Sequence, residues 1–309
     1  MQYLPPRQSR EMMGLKDILP ITHLHVIYIA IHLVALSIVW SGFSWLGAWL
    51  CLVSYFGRHL GLVVGYHRYF AHRSFKTSRL MQFFLALHGS LCAERGPLWW
   101  GQTHRLHHRY SDTPNDIHSP HYQGFLYSHS GWFFNPRFFK TNYDQISEFA
   151  KFPELVWLDR WYTIPLFAFA ASMFYFFGWE GLVWGFCLST VMIWHTTHTI
   201  QSLCHCFGGY RSFQTSDSSR NFWLFGVMAL GDGFHNNHHY DPSSARHGFV
   251  WWEIDLAWYI LKCLSWFGLV WDLKTPKKWT RNQSSNLDKV NKNDAIDAEA
   301  KDQFPTTGE

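Results

Sequence analysis

The residues best suited to chemistry in this chain are its histidines, which number 20 among 309 residues. Eight of them form three tight clusters: His67-Arg-Tyr-Phe-Ala-His72, His104-Arg-Leu-His107-His108 and His235-Asn-Asn-His238-His239. Imidazole binds first-row transition ions well and Mg²⁺ or Ca²⁺ poorly. Structural zinc sites usually include cysteine, and Cys204 and Cys206 have no CxxC partner. Eight imidazoles exceed the need of one ion, so the clusters predict two histidine-bound metals, and two irons that handle oxygen fit this count.

The spacing inside each cluster predicts where its rings point. Residues three and four apart share one face of an α-helix, so the three rings of each HxxHH cluster are expected to converge on one spot. His67 and His72 are five residues apart, which is about 140° around an α-helix. They are therefore expected to bind different ions, unless the helix ends between them. A single HxxHH is more often a solvated helix face, but three clusters that meet in one compartment favour a catalytic metal site.

The elements that must position these clusters are membrane helices. Beside 18 Trp, 27 Phe and 14 Tyr, the chain has only 26 Lys and Arg and 22 Asp and Glu, and none of these charges falls within residues 18–57. A crossing needs about 20 apolar residues. The uncharged stretches and their glycine-centred turns predict four crossings, near 21–40, 45–65, 162–179 and 182–200. Buried helices of a large soluble core are the alternative, because they also give uninterrupted apolar runs.

The basic residues predict the orientation in the membrane. All 26 fall in residues 1–17, 58–160 or 211–301, which four crossings place on one side, and cytoplasmic flanks are enriched in Lys and Arg. Both termini and the histidine clusters are thus expected in the cytoplasm, at a bacterial inner membrane or the endoplasmic reticulum. Such flanks beside anionic lipid account for the net charge of +4 without a nucleic-acid partner.

The predicted organisation is one membrane domain followed by a tail. The domain spans residues 1–275, with a cytoplasmic cap from 66–160 and 205–275, and the polar stretch 276–309 is expected to be disordered.

Three runs of sequence resemble the integral-membrane fatty acid desaturases, in particular their stearoyl-CoA, or Δ9 acyl, branch. The runs are Gly65 to Phe75, Trp99 to Thr113 and Asp116 to Pro120, and the resemblance extends over about residues 20–275. It implies an all-α integral membrane fold, in which four transmembrane helices lie under a cytoplasmic helical cap that holds a histidine-rich di-iron site.

The resemblance also implies a ninth histidine ligand after the fourth helix, in an Asn-x-x-x-His element. Here Gln201-Ser-Leu-Cys-His205 occupies that place, so Gln201 replaces the asparagine that holds one iron through a water. The implied ligands of the two irons, Fe²⁺ in the reduced state, are His67, His72, His104, His107, His108, His205, His235, His238 and His239. Three carboxylates beside these ligands are expected to orient their rings: Asp112, Asp116 and Asp232.

The expected substrate is a saturated acyl chain of 16 to 18 carbons in an apolar tunnel, since each buried CH₂ contributes about 0.8 kcal/mol. By position, Tyr55, Trp100 and Thr197 match tunnel residues of the family. Acyl-CoA is favoured as the carrier. However, Gln102-Thr103 stands where the animal enzymes have an Arg-Asp pair that contacts CoA, which leaves an acyl-lipid as the alternative.

The expected reaction follows from the substrate, because no amino-acid acid or base can remove hydrogen from an unactivated methylene. An O2-dependent oxidoreductase that forms a cis double bond at C9 is predicted. The two electrons are expected from a ferredoxin or cytochrome b5-type partner, since the sequence has no haem-attachment, HPGG or flavin motif.

Two other functions are also compatible with the sequence. A hydroxylase acting on acyl chains or alkanes uses the same clusters, because the same oxidant can transfer oxygen to the substrate radical. A haem-binding electron carrier is the alternative from another class, with His32 facing His195 and His198. The latter two histidines, three residues apart in the fourth crossing, are also candidates for lining a substrate channel.

Overall fold

The computed structural model describes residues 21–276, so residues 1–20 and nearly all of the predicted tail lie outside the described part. Within that range the fold is mostly helical. The α-helices are α1 His23–Leu36, α2 Ile38–Ser41, α3 Trp45–Leu60, α4 Arg79–Ser90, α5 Pro97–Tyr110, α6 Pro120–Gln123, α7 Phe125–His129, α8 Ser147–Ala150, α9 Pro153–Arg160, α10 Thr163–Glu180, α11 Ser189–Ser202, α12 Trp223–Met228, α13 His235–Tyr240 and α14 Leu256–Trp266. Two π-helical segments, Gly61–Ala71 and Gly181–Leu188, follow α3 and α10, and short 3-10 turns occupy Gly131–Phe134, Pro136–Phe138, Tyr143–Ile146 and Leu203–His205.

Within residues 21–276, three helices are long and apolar enough to cross a membrane: His23–Ser41, Trp45–Ala71 and Thr163–His205. The third covers both of the predicted later crossings. Its backbone leaves the helical conformation at Gly178, where φ is 60° and ψ is −147°. A methyl group on Gly185 would collide with the Met173 side chain, although a straight helix would separate these residues by about 18 Å. The chain therefore reverses at Gly178, and the number of membrane crossings stays a prediction.

Large apolar side chains are exposed on the outside of these helices. Trp40, Trp45 and Tyr175 expose 82%, 83% and 81% of their surface. So many large apolar side chains exposed on long apolar helices are typical of a lipid-facing surface. The arrangement disfavours the alternative of a large soluble core.

The charge inside the second predicted crossing is covered by protein. Arg58 is only 2% exposed, and its guanidinium donates to Ser189 Oγ at 2.6 Å, Thr190 Oγ1 at 2.9 Å and the Leu91 carbonyl at 2.8 Å. These contacts satisfy the donors of a group that would be costly in lipid. The helix therefore continues past Arg58 into the π-helical segment that carries the first histidine cluster.

The expectation of an all-α fold is wrong in one detail. Strand β1, Lys76–Thr77, pairs antiparallel with β2, Val270–Trp271. The Lys274 N–H also donates to the Ser74 carbonyl at 2.9 Å. Runs of two residues give no alternating pattern of their own, so the pairing depends on tertiary packing between the end of the first cluster and the chain after α14.

Candidate metal centre

The π-helical segment brings the two histidines of the first cluster together. The His72 N–H donates to the His67 carbonyl at 3.2 Å, an i→i+5 bond that places residues five apart on nearly the same face. The segment ends at Ala71, directly before His72. Both rings belong to one group of candidate ligands, so of the two predicted alternatives the structure fits a helix that ends between them and not two rings directed at different ions.

The nine predicted histidines lie in two groups within which the candidate ligand nitrogens are at most 4.8 Å apart. The first group contains His67, His72, His104, His108 and His238, and the second contains His107, His205, His235 and His239. Each HxxHH cluster therefore divides between the groups instead of converging on one spot as expected. The division has a geometric reason, because adjacent residues such as His107 and His108 point about 100° apart on a helix.

In the second group, carboxylates determine which nitrogen of each ring carries the proton. Three rings have a carboxylate oxygen at Nδ1: Asp116 for His107 at 3.1 Å, Asp112 for His205 at 2.9 Å and Asp217 for His239 at 2.7 Å. A carboxylate only accepts, so Nδ1 is protonated and Nε2 of each neutral ring keeps a lone pair.

The Nε2 atoms of these rings face one another, and the rings carry too few protons for every close nitrogen pair to form a hydrogen bond. His235 Nε2 lies 2.9 Å from His205 Nε2 and 3.0 Å from His239 Nε2, and it can donate to only one of them. The remaining close contact, together with the buried His107 Nε2 that has no hydrogen-bond partner, fits a cation held by the four rings.

The first group has the same character. His67 Nδ1 contacts Asp232 Oδ2 at 2.6 Å, and its Nε2 faces His238 Nε2 at 2.9 Å. His238 Nε2 in turn lies 2.8 Å from His108 Nε2, while His72 Nε2 is buried without a partner. A donor set made only of imidazoles suits a first-row transition ion such as iron.

The electrostatics favour neutral rings in the first group and a charged carboxylate at Asp112, whereas at His107 in the second group the Asp116 carboxylate outweighs burial and raises the pKa. Burial and neighbouring imidazoles lower the pKa of His72, His104 and His108 well below the usual value. Burial alone would raise the pKa of Asp112, but the hydrogen bond from His205 brings it to about 2. Neutral imidazoles are the form that binds metal.

Three residues that contact the groups were not among the predicted site residues, although His118 and His247 were expected in the core, at the interface or beside the ligands. Asp217 gives no spacing signal, because it lies in a loop 22 residues before the ring that it contacts. His118 stacks on His107 with ring centroids 4.3 Å apart. His247 forms a further cluster with His67 and Asp232. Of these three residues, only His118 carries a signal in the sequence, because it lies two residues after Asp116 and could be expected near the same ring.

A cavity opens beside both groups, and its lining includes Trp100, Thr197 and Gln201. Gln201 Oε1 accepts a hydrogen bond from Trp132 Nε1 at 3.0 Å, so the amide nitrogen is the end left for the cavity. Tyr55 is not among the lining residues, although it was predicted to shape the tunnel.

The structure also shows what Tyr55 contacts, and what Gln102, just before the second cluster, contacts. The Tyr55 hydroxyl contacts Thr196 Oγ1 at 3.0 Å and donates to the Met228 carbonyl at 2.9 Å.

Gln102 is 7% exposed, and its Oε1 accepts from the Asn142 N–H at 2.7 Å. Gln102 therefore stabilises a cap loop and does not extend into solvent.

Long apolar helices, a mostly helical fold and two buried histidine groups define a histidine-rich, membrane-associated class of protein. The chain belongs to the fatty acid desaturase family, whose model matches residues 20–267, and it is thus an oxidoreductase of lipid metabolism. This confirms the resemblance found in the sequence.

Individual relatives are similar over most of their length. The "Delta-9 acyl-lipid desaturase 1" of Arabidopsis thaliana is 37% identical over 249 residues, covering 78% of this chain and 79% of the relative. The "sn-1 stearoyl-lipid 9-desaturase" of Anabaena variabilis is 36% identical over 261 residues, covering 81% and 93%. The "Acyl-CoA 5-desaturase AL21" of Anemone leveillei is 35% identical over 266 residues, covering 84% and 82%.

Proposed function

We propose that this protein is an O2-dependent di-iron desaturase that introduces a cis double bond at C9 of a saturated acyl chain of 16 to 18 carbons. The observation that carries the metal assignment is the second histidine group, in which three carboxylate-bound rings direct their Nε2 lone pairs to one place. The printed names of the Arabidopsis and Anabaena relatives support position 9.

In this proposal the nine histidines hold the metals, and Asp112, Asp116, Asp217 and Asp232 keep the rings in the binding tautomer. Iron bound there would activate O2 with two electrons from the donor protein, which would supply the oxidant needed to remove two hydrogens from an unactivated chain and leave O2 as water. Trp100 stacks on His104 with centroids 4.8 Å apart and faces the cavity with Thr197, which excludes water and positions the acyl chain. The Gln201 amide nitrogen would donate a hydrogen bond to a water at one of the irons.

The acyl carrier in this proposal is a membrane lipid. Gln102 occupies the place of a CoA-binding cation, yet it is buried and bonded to the Asn142 backbone. The relatives named for Δ9 or 9-desaturation in Arabidopsis and Anabaena act on acyl-lipid by name, whereas the Anemone relative is named for acyl-CoA.

The proposed topology has four crossings, with both termini and the metal centre in the cytoplasm. There the site is accessible to a ferredoxin or cytochrome b5-type donor of the two electrons. The reversal at Gly178 supports two antiparallel segments within residues 163–205.

Expression in a bacterial or yeast strain that cannot make oleate tests the activity. Gas chromatography of the methyl esters should show a cis-9 alkene with the wild-type chain and none with His238→Ala. A hydroxy fatty acid as the main product would establish the hydroxylase alternative instead. If neither the alkene nor the hydroxy acid forms, the proposal is rejected. Membranes supplied with labelled stearoyl-lipid or stearoyl-CoA should give labelled alkene from the lipid first, and faster conversion of the CoA ester would overturn the carrier assignment.

A further inference from the structure

A second set of histidines lies outside the nine-histidine centre. His32 is on α1, His129 ends α7, and His195 and His198 are on α11. Candidate ligand nitrogens of the last three lie within 4.8 Å of one another. The set thus joins two apolar helices to a short helix that follows the second histidine cluster in the cap.

Hydrogen bonds at the two ends of this set determine where the ring protons lie. His32 Nδ1 is 2.7 Å from the Tyr28 carbonyl, which only accepts, so His32 Nδ1 is protonated. Ser202 Oγ donates its single hydrogen to the His198 carbonyl at 2.7 Å. The same oxygen must then accept from His129 Nδ1, which lies 3.0 Å away and is therefore protonated too.

His195 contacts His32 on one side and His129 on the other, and the protons left on the rings cannot make both contacts hydrogen bonds. His195 Nε2 is 3.1 Å from His32 Nε2, and His195 Nδ1 is 3.0 Å from His129 Nε2. Three neutral rings carry three protons, of which two point outward at Tyr28 and Ser202. The third satisfies one contact only. When His195 Nε2 donates to His32, the nitrogens of His195 and His129 face each other with lone pairs at 3.0 Å, a contact that needs either an additional proton or a metal ion between them.

Ring nitrogens without enough protons also face each other in the nine-histidine centre, at 2.9 Å and 3.0 Å. The third ring of the set adds an independent observation. His198 is completely buried, and its Nε2 has no hydrogen-bond partner. Glu94 Oε1, also buried without a partner, lies 3.9 Å from that nitrogen.

We propose that His129, His195 and His198 bind a third metal ion, a divalent first-row transition ion of the Zn²⁺ type, separate from the two proposed irons. Three imidazoles with a further position open are a donor set that Zn²⁺ accepts readily. His32 and Ser202 act from outside the ligand set by fixing the tautomers of His195 and His129, as carboxylates do in the nine-histidine centre. The ion connects α7 to α11, with α1 attached through His32, and this role does not depend on the acyl substrate.

Titration of the purified iron-loaded protein with Co²⁺ tests the site, since bound Co²⁺ absorbs in the visible range. The wild-type chain should take up one Co²⁺ beyond its iron, with the iron content unchanged. His129→Ala and His195→Ala should each weaken this uptake by at least about 10–100-fold, the range known for loss of an outer partner alone. His121→Ala, at an exposed histidine of α6, is the matched control and should bind as the wild type does.

The wild-type measurement decides the proposal even if a variant folds poorly. No Co²⁺ beyond the iron sites would mean that an additional proton on the rings holds the contact, and the proposal would be overturned. Equal uptake by His129→Ala and the wild type, or equal loss in His121→Ala, would also overturn it. Zn²⁺ that competes with Co²⁺ one for one in the wild type would support the proposed ion class.

Discussion

The Asp217→Asn substitution should weaken metal binding at the second histidine group while leaving its own loop intact. Asp217 Oδ1 accepts from Thr215 Oγ1 at 2.7 Å and from the Ser219 N–H at 3.0 Å, and an asparagine oxygen can keep both bonds. Asp217 Oδ2 accepts from His239 Nδ1 at 2.7 Å. In the variant an amide nitrogen faces that N–H, so two donors oppose each other and the His239 ring must rotate or change tautomer.

The size of the effect follows from the role of such outer partners. Their loss usually costs about 10–100-fold in metal affinity, which corresponds to about 1.4–2.7 kcal/mol. His239 is one of four rings in its group, whereas the first group has five rings that Asp217 does not contact. The expected result is the loss of one of the two proposed irons per chain at chelator concentrations that the wild type resists.

The assay is iron content per chain after equilibration with increasing concentrations of a ferrous chelator. Asp144→Asn, at an exposed carboxylate in the cap, is the matched control and should behave as the wild type does. If Asp217→Asn releases iron at the same chelator concentration as the wild type, the carboxylate does not support a metal-bound ring and the reasoning fails.

Other substitutions address the remaining parts of the argument. His238→Ala should lose both iron and turnover, because its Nε2 faces two other rings, and retained iron in the purified variant would contradict its role. Gln201→Asn should keep or raise product yield if the side chain acts through a water, and an inactive, fully folded variant would count against that role. Gly61→Ala should destabilise by about 1–3 kcal/mol, since the methyl group would meet the backbone of α4 at 2.6 Å. Gly57→Ala, with open space at its Cβ, is the control, and equal melting temperatures for both variants would refute the packing argument.

The sequence was most informative where the chemistry requires a residue type. The eight clustered histidines lie in two compact groups, because clusters of imidazoles beside apolar helices have few other uses, and His205, which the family resemblance implied, lies with them. Asp112, Asp116 and Asp232 were found by their closeness to histidines in the chain, and each contacts a ring as expected.

The distribution between the groups could not be predicted from α-helical periodicity. The π-helical bond between His72 and His67 changes the angular separation of the first pair, and nothing in its residue types indicates this. Asp217 contacts His239 through a loop whose path depends on tertiary packing. The β1–β2 pairing is equally non-local, since its strands are nearly 200 residues apart.

The first group has a consequence for how the protein is made. His67 and His238 contact each other across 171 residues of chain. At about 5–20 residues per second, the ribosome needs roughly 10–30 s to add the second of these residues after the first. During that interval the early histidines of this group lack their late partner, so loading of the two proposed irons is expected to follow completion of the last helices, and a chain truncated before residue 235 should emerge without those two irons.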